Sequence, residues 1–248
     1  MAAVGRALTA RPELRIGLLL CHPAGEPLHA EVAPYPELFR SLLSGHASVR
    51  WRTYDVTAGE FPSSLAAEDG WICSGSRRSV FEDEPWISGL LDVVREAARG
   101  LRPFVGICFG HQAIAQALGG TVSRSARGWG VGLREVEIIG RRSWMRPAVP
   151  RYRIATMHQD QIDRHPPDAV VLGTNDHCPV SMMQVGEAML GIQGHPEFTP
   201  EVDAALIRSR RGRSIPDDVA DAGLAGLDRP SDSNLIASWI VSFLAGPR

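Results

Sequence analysis

Lysine is absent from this sequence. All 26 basic residues among its 248 residues are arginine. This excludes mechanisms that need a lysine amine, such as Schiff-base formation, pyridoxal-phosphate binding and phosphate binding by a P-loop. Basic and acidic residues nearly balance, 26 against 28, which leaves a net charge of −2. The charge therefore gives no reason to expect a nucleic acid or a membrane surface as a partner.

Cysteines and long apolar runs are also scarce. Four cysteines in a chain of this length are too few for a disulfide framework and fit a reducing compartment. The apolar run at residues 16–21 is shorter than the core of a signal peptide and far shorter than a membrane-spanning helix. The sequence predicts a cytoplasmic protein in which this run is a buried strand.

Short apolar runs alternate with helical patterns in the first half of the chain, which is typical of βαβ units and a mainly parallel sheet. Strands are predicted at residues 16–21, 49–54, 71–73 and 103–107, and helices near 38–44, 85–98 and 111–118. Shorter, partly antiparallel strands follow at residues 133–139, 151–156, 169–172, 180–185 and 188–192, and helices near 200–210, 216–224 and 232–244. With no repeat or low-complexity linker, we expect one α/β domain over residues 1–248.

A nucleophile is predicted where the strand at 103–107 meets the next helix. Cys108 lies between Gly106 and Gly110, and small neighbours are what a sharp strand–turn–helix needs to project a reactive side chain. The helix N-terminus there favours thiolate over thiol. A buried structural cysteine is the alternative that the turn alone would allow.

A base for this cysteine is predicted in the segment His195-Pro196-Glu197, which follows the strand at 188–192. Residues i and i+2 of an extended segment face the same side, and proline keeps the segment extended. Glu197 would then orient the imidazole of His195, and His195 would accept the proton of Cys108. Alone, the tripeptide would suggest a surface turn, so the prediction depends on its pairing with Cys108.

Together, the two motifs resemble those of the class I glutamine amidotransferases, and in particular stand-alone proteins similar to the glutaminase domain of GMP synthetase. The resemblance covers roughly residues 16–244 and implies a flavodoxin-like fold with a few antiparallel strands in the C-terminal half. It also implies a catalytic triad at Cys108, His195 and Glu197. Neither a metal nor an organic cofactor is implied.

Further site residues follow from the resemblance alone. The loop after the third strand implies Gly75 or Ser76 as a backbone donor to an oxyanion, together with the amide of Phe109. Three other residues match family positions that contact the substrate: Gln112, Met157 and His158.

Three positions depart from the family pattern. Met157 stands where the family usually has serine, and Ser76-Arg77 replaces a common Gly-Pro. Gly130 occupies a position that is often acidic in the family. These departures leave the triad intact and concern the part of the site that selects the substrate.

The implied reaction is hydrolysis of a γ-glutamyl amide bond in glutamine or in a larger γ-glutamyl amide or peptide, by way of a thioester on Cys108. The chain has no P-loop and no length for a synthetase domain. One alternative is therefore a glutaminase subunit that delivers ammonia to a separate synthetase partner. A second is a catalytically idle binding or regulatory module.

Overall fold

The computed structural model describes residues 13–246. Residues 1–12 and 247–248, which the predicted domain includes, lie outside the described residues. The strands are β1 (Glu13–Leu20), β2 (Ser48–Asp55), β3 (Gly70–Cys73), β4 (Phe104–Ile107), β5 (Thr121–Arg124), β6 (Gly130–Ile138), β7 (Arg151–His158), β8 (Asp160–Arg164), β9 (Ala169–Thr174), β10 (Met182–Val185) and β11 (Met189–Ile192). The helices are α1 (Tyr35–Ser44), α2 (Pro85–Arg99), α3 (Phe109–Ala117), α4 (Pro200–Arg210), α5 (Asp217–Ala225) and α6 (Ser233–Leu244).

Within residues 13–246, nine strands form one sheet in the order β2-β1-β3-β4-β11-β10-β9-β6-β7. Neighbours from β2 to β11 run parallel, and those from β11 to β7 run antiparallel. The predicted α/β class and the antiparallel strands of the C-terminal half are confirmed. Because β4 and β11 are parallel neighbours, the residues that follow them leave the sheet at the same edge.

Helices cover both faces of the sheet, so its central strands are apolar on both sides. Leu18 of β1 belongs to an apolar cluster that includes residues of α1 and α6, and the adjacent Leu19 belongs to a second cluster with residues of α2 and α3. None of the helices within residues 13–246 is long and apolar enough to cross a membrane.

The structure differs from the sequence-based prediction at two places. Strands β5 and β8 form a separate antiparallel pair that was not predicted, because β5 is short and has one buried residue, Val122. Strand β6 begins at Gly130 rather than near residue 133. Gly132 has a φ of 76° and packs against Gly223, where an added Cβ would lie 2.6 Å from the carbonyl oxygen, so glycines hide the apolar pattern of the strand.

Gly17→Ala should destabilise the fold. A Cβ at Gly17 would lie 2.2 Å from the ring of Trp71, which is fully buried and donates its indole N–H to the Leu65 carbonyl at 3.2 Å. We expect a loss of about 1–3 kcal/mol in the free energy of unfolding, measured by urea titration, because an overpacked core strains its neighbours. Gly45→Ala is the control, since a Cβ there meets nothing within 4 Å. An equal loss in both variants would contradict this explanation.

Candidate active site

Cys108 lies on the tight turn between β4 and α3. Its backbone angles are φ 52° and ψ −99°, a positive-φ conformation that residues with a side chain rarely adopt. Its amide donates to the carbonyl of Ile192 at 2.8 Å, which ties the turn to the end of β11. Strained backbone of this kind is concentrated at functional sites.

Gly106 and Gly110 make this turn sterically possible. A Cβ on Gly106 would lie 2.3 Å from the backbone carbonyl carbon of Gly110, and a Cβ on Gly110 would lie 2.5 Å from the carbonyl oxygen of Cys73. Both contacts are with backbone atoms, which cannot rotate away as a side chain can. Helix α3 therefore starts directly against β3 and β4 only because both positions are glycine.

His195 and Glu197 follow β11 and are buried, with exposed fractions of 4% and 3%. Nδ1 of His195 lies 2.8 Å from Oε1 of Glu197. Because a carboxylate only accepts hydrogen bonds, Nδ1 carries the proton of this contact. The imidazole is stacked on the ring of Phe198, with centroids 4.1 Å apart and planes at 2°, and it also contacts the thiol of Cys108.

The electrostatic surroundings of His195 favour its charged form. Burial alone would lower the pKa of His195, but the negative charges of Glu197 and Cys108 outweigh burial and raise this pKa to about 10. The structure thus brings together the three residues that the sequence predicts as nucleophile, base and orienter. Their arrangement is able to transfer a proton between a sulfur atom and a bound group.

The hydroxyl of Tyr35 connects Glu197 to the loop after β3. It donates to Oε1 of Glu197 at 3.0 Å and accepts from the amide of Gly75 at 3.1 Å. The Gly75 amide, one of the predicted oxyanion donors, therefore already has an acceptor. The amides of Ser76 and Phe109 have no acceptor among residues 13–246, so they are free to bind an anionic oxygen.

A chain of amides leads from Gln112 to the sulfur atom. Nε2 of Gln112 donates to the Asp160 carbonyl at 2.9 Å and to Oε1 of Gln193 at 3.1 Å. Gln193 in turn lies with its Nε2 3.5 Å from Sγ of Cys108. Gln112 therefore acts on the sulfur through Gln193, although its own side chain also lines the cavity beside Cys108.

That cavity has a volume of about 270 Å³, and its lining includes Cys108 and the three predicted substrate-contacting residues Gln112, Met157 and His158. Burial lowers the pKa of His158 to about 3, and the nearby charge of His177 lowers it further. His158 is therefore a neutral imidazole. Among residues 13–246, no group of three or more His, Cys, Asp or Glu side chains is arranged to hold a metal ion.

Sequence reasoning did not single out Tyr35 and Gln193. Gln193 carries a usable signal, because it lies two residues before His195 in the segment that leaves β11. Tyr35 carries none, since it lies 162 residues from Glu197 in the chain. Only the packing of α1 against the edge of the sheet shows that Tyr35 belongs to the site.

Comparison with known proteins gives a consistent result. The sequence profile of the family Glutamine amidotransferase class-I matches residues 37–210. Gamma-glutamyl peptidase 4 of Arabidopsis thaliana is 31% identical over 220 residues, which cover 86% of this chain and 87% of that protein. A subunit of the glutamine-hydrolysing GMP synthase of Pyrococcus furiosus is 36% identical over 109 residues, covering 43% of this chain and 57% of that protein.

A solved structure shares the fold. The crystal structure of a glutamine amidotransferase from Thermotoga maritima superposes with a TM-score of 0.71 at 20% identity, covering 94% of this chain and 96% of that one. At this level of identity the likeness concerns the fold, and it agrees with the flavodoxin-like arrangement that the sequence implies.

The contribution of His195 to stability should depend on pH. Its pKa is raised from 6.5 to about 10 on folding. The resulting stabilisation is therefore fully present below about pH 6.5 and is lost as the pH rises toward 10. We expect His195→Gln to lower the free energy of unfolding most at pH 6, and the deficit to shrink by at least about 1 kcal/mol by pH 10. Urea titrations across this range measure it, and a deficit that grows with pH would contradict the assignment.

The hydroxyl of Tyr35 should stabilise the protein, whereas that of Tyr152 should not. Both tyrosines are buried, but the hydroxyl of Tyr152 has no hydrogen-bond partner within residues 13–246. We expect Tyr35→Phe to cost about 1–3 kcal/mol of unfolding free energy, because Gly75 and Glu197 lose a partner. The matched variant Tyr152→Phe should be neutral or stabilising. Thermal and urea unfolding compare the two, and equal effects would show that the Tyr35 contacts contribute nothing.

Proposed function

The chain belongs to the class I glutamine amidotransferase family, and from this membership we propose that it hydrolyses γ-glutamyl C–N bonds through a thioester on Cys108. Family membership makes the chain a cysteine hydrolase that acts on amide C–N bonds. The observation that supports the specific mechanism is the placement of His195 between Glu197 and Cys108.

In the first half of the reaction, the thiolate of Cys108 attacks the γ-carbonyl carbon of the substrate. A carbon–sulfur bond forms and the carbonyl electrons move onto oxygen. When this oxyanion collapses, the C–N bond breaks and the imidazolium of His195 gives its proton to the departing nitrogen. Glu197 holds the imidazole in the tautomer that this transfer needs.

In the second half, water attacks the thioester and His195 takes its proton. The carbon–sulfur bond breaks, glutamate leaves and Cys108 returns as a thiolate. No step uses a metal or an organic cofactor. The reaction needs a free thiol, which fits a reducing compartment such as the cytoplasm.

Backbone amides would stabilise the oxyanion of both halves. The amide of Phe109 and that of Ser76 are the readiest donors because neither has an acceptor in the described part of the chain. The Gly75 amide would serve only after leaving the hydroxyl of Tyr35. One such donor typically lowers the barrier by about 3 kcal/mol. Gln112, Met157 and His158 would hold the glutamyl part of the substrate, since they line the cavity beside Cys108.

A second candidate function is supported by the similarity to the GMP synthase subunit of Pyrococcus furiosus. In this case the chain would be a glutaminase subunit that passes ammonia to a separate synthetase. The relatives named gamma-glutamyl peptidases match over more of the chain, 86% against 43%. For this reason we favour a self-contained hydrolase of a small γ-glutamyl compound.

The proposal predicts glutamate release by the isolated chain. Glutamine and γ-glutamyl dipeptides are compared as substrates, and Cys108→Ser should reduce turnover by at least about a thousandfold, because serine lacks an activating thiolate. A glutamine-like diazo-ketone should label Cys108 alone, as seen by mass spectrometry, while buried Cys178 provides the internal control. Labelling of another cysteine would refute the nucleophile assignment. Turnover that appears only with an added synthetase would favour the second candidate.

A further inference from the structure

The cavity beside Cys108 contains more positive than negative charge. Four arginines line it, Arg77, Arg78, Arg124 and Arg210, together with one acidic residue, Asp160. A cavity with this balance attracts anions. How strongly each guanidinium group attracts them depends on whether a carboxylate of the protein already neutralises it.

Two of the four arginines are paired. Arg78 lies 3.1 Å from Glu82 and 3.4 Å from Glu84. Arg124 lies 3.6 Å from Asp160. Their charges are therefore matched by carboxylates that belong to the fold.

Arg77 and Arg210 form no ion pair within residues 13–246. Arg77 donates to the carbonyl of Leu28 at 2.8 Å, and Arg210 contacts the sulfur atom of Met157. Both partners are neutral, so neither contact offsets the charge. Arg210 is half-buried at the end of α4, where an unpaired cation is costly to keep.

The two guanidinium groups also act on each other. Burial lowers the pKa of Arg210, and the positive charge of Arg77 lowers it further. Asp203, two turns earlier on α4, does not relieve this, because burial raises the pKa of its carboxyl group to about 7 and it makes no ion pair with Arg210. An anion bound between the two arginines would remove both the repulsion and the desolvation cost.

The position of this pair indicates which part of a substrate it would meet. Arg77 and Arg210 line the cavity of Cys108 and also an adjoining smaller cavity, which contains His195 and Tyr35. In the proposed mechanism His195 protonates the departing nitrogen, so the leaving group lies on the side of His195. The two arginines therefore border the space into which the leaving group extends.

We infer that Arg77 and Arg210 form a subsite for a carboxylate carried by the leaving group, which makes γ-glutamyl amino acids and peptides better substrates than glutamine. This inference rests on the proposed function. Ammonia, the leaving group of glutamine, has no anionic part that could occupy the subsite. A leaving amino acid presents a carboxylate, which planar guanidinium groups bind in a bidentate manner.

A pair of matched substrates tests this subsite. The full chain is assayed for kcat/KM with γ-glutamyl-alanine and with γ-glutamyl-alaninamide, which differ in the charge of the leaving group and little in size. The native chain should prefer γ-glutamyl-alanine by about tenfold or more, the usual effect of a charge-assisted hydrogen bond. Arg77→Gln and Arg210→Gln should each reduce this preference, mainly by slowing the carboxylate substrate.

Arg78→Gln is the matched control, because it removes an arginine from the same cavity whose charge is already paired with Glu82 and Glu84. It should retain the preference. Labelling of Cys108 by the diazo-ketone verifies that each variant keeps a folded site, and Arg210→Lys tests charge without the planar group.

Three outcomes would overturn the inference. Equal kcat/KM for the two substrates in the native chain would refute the subsite while leaving the proposed function intact. Equal losses for both substrates in the arginine variants would show that the pair binds the α-carboxylate of the glutamyl part, which both substrates share. Absence of turnover with either substrate and with glutamine would refute the proposed function as well.

Discussion

The hydrogen bond from the Cys108 amide to the Ile192 carbonyl, 2.8 Å long, aligns the ends of β4 and β11. The two strands pair in register, with Gly106 opposite Gly191 and Ile107 opposite Ile192. Every residue that follows either strand takes its place from this alignment. A shift of one residue would turn each side chain to the opposite face of the sheet and would separate the sulfur atom from the imidazole.

Three buried histidines near the sheet edge show how strongly surroundings control charge. Burial alone disfavours the charged form of each. The pKa of His111 falls to about 4 and that of His158 to about 3, because neither contacts a carboxylate. His195 has Glu197 and Cys108 as neighbours, and its pKa rises instead. The same residue type is therefore a structural donor in one place and a reservoir of protons in another.

The sequence predicted most of the fold and the central part of the site. Strands covered on both faces give continuous apolar runs, and the Gly106–Gly110 spacing is a local signal, so both could be recognised. Tyr35 could not, because its role arises from contacts with residues distant in the chain. The unequal pairing of Arg78 and Arg210 was equally hidden, since ion pairs depend on which side chains meet in the folded protein.

The stacking of His195 on Phe198 and the bond from its Nδ1 to Glu197 together prevent the imidazole from rotating. A ring that cannot turn offers a single nitrogen to the reacting groups. In the proposed mechanism, the departing amine and the incoming water must therefore occupy the same point one after the other. Such an enzyme follows ping-pong kinetics, in which the first product dissociates before the acyl group meets its acceptor.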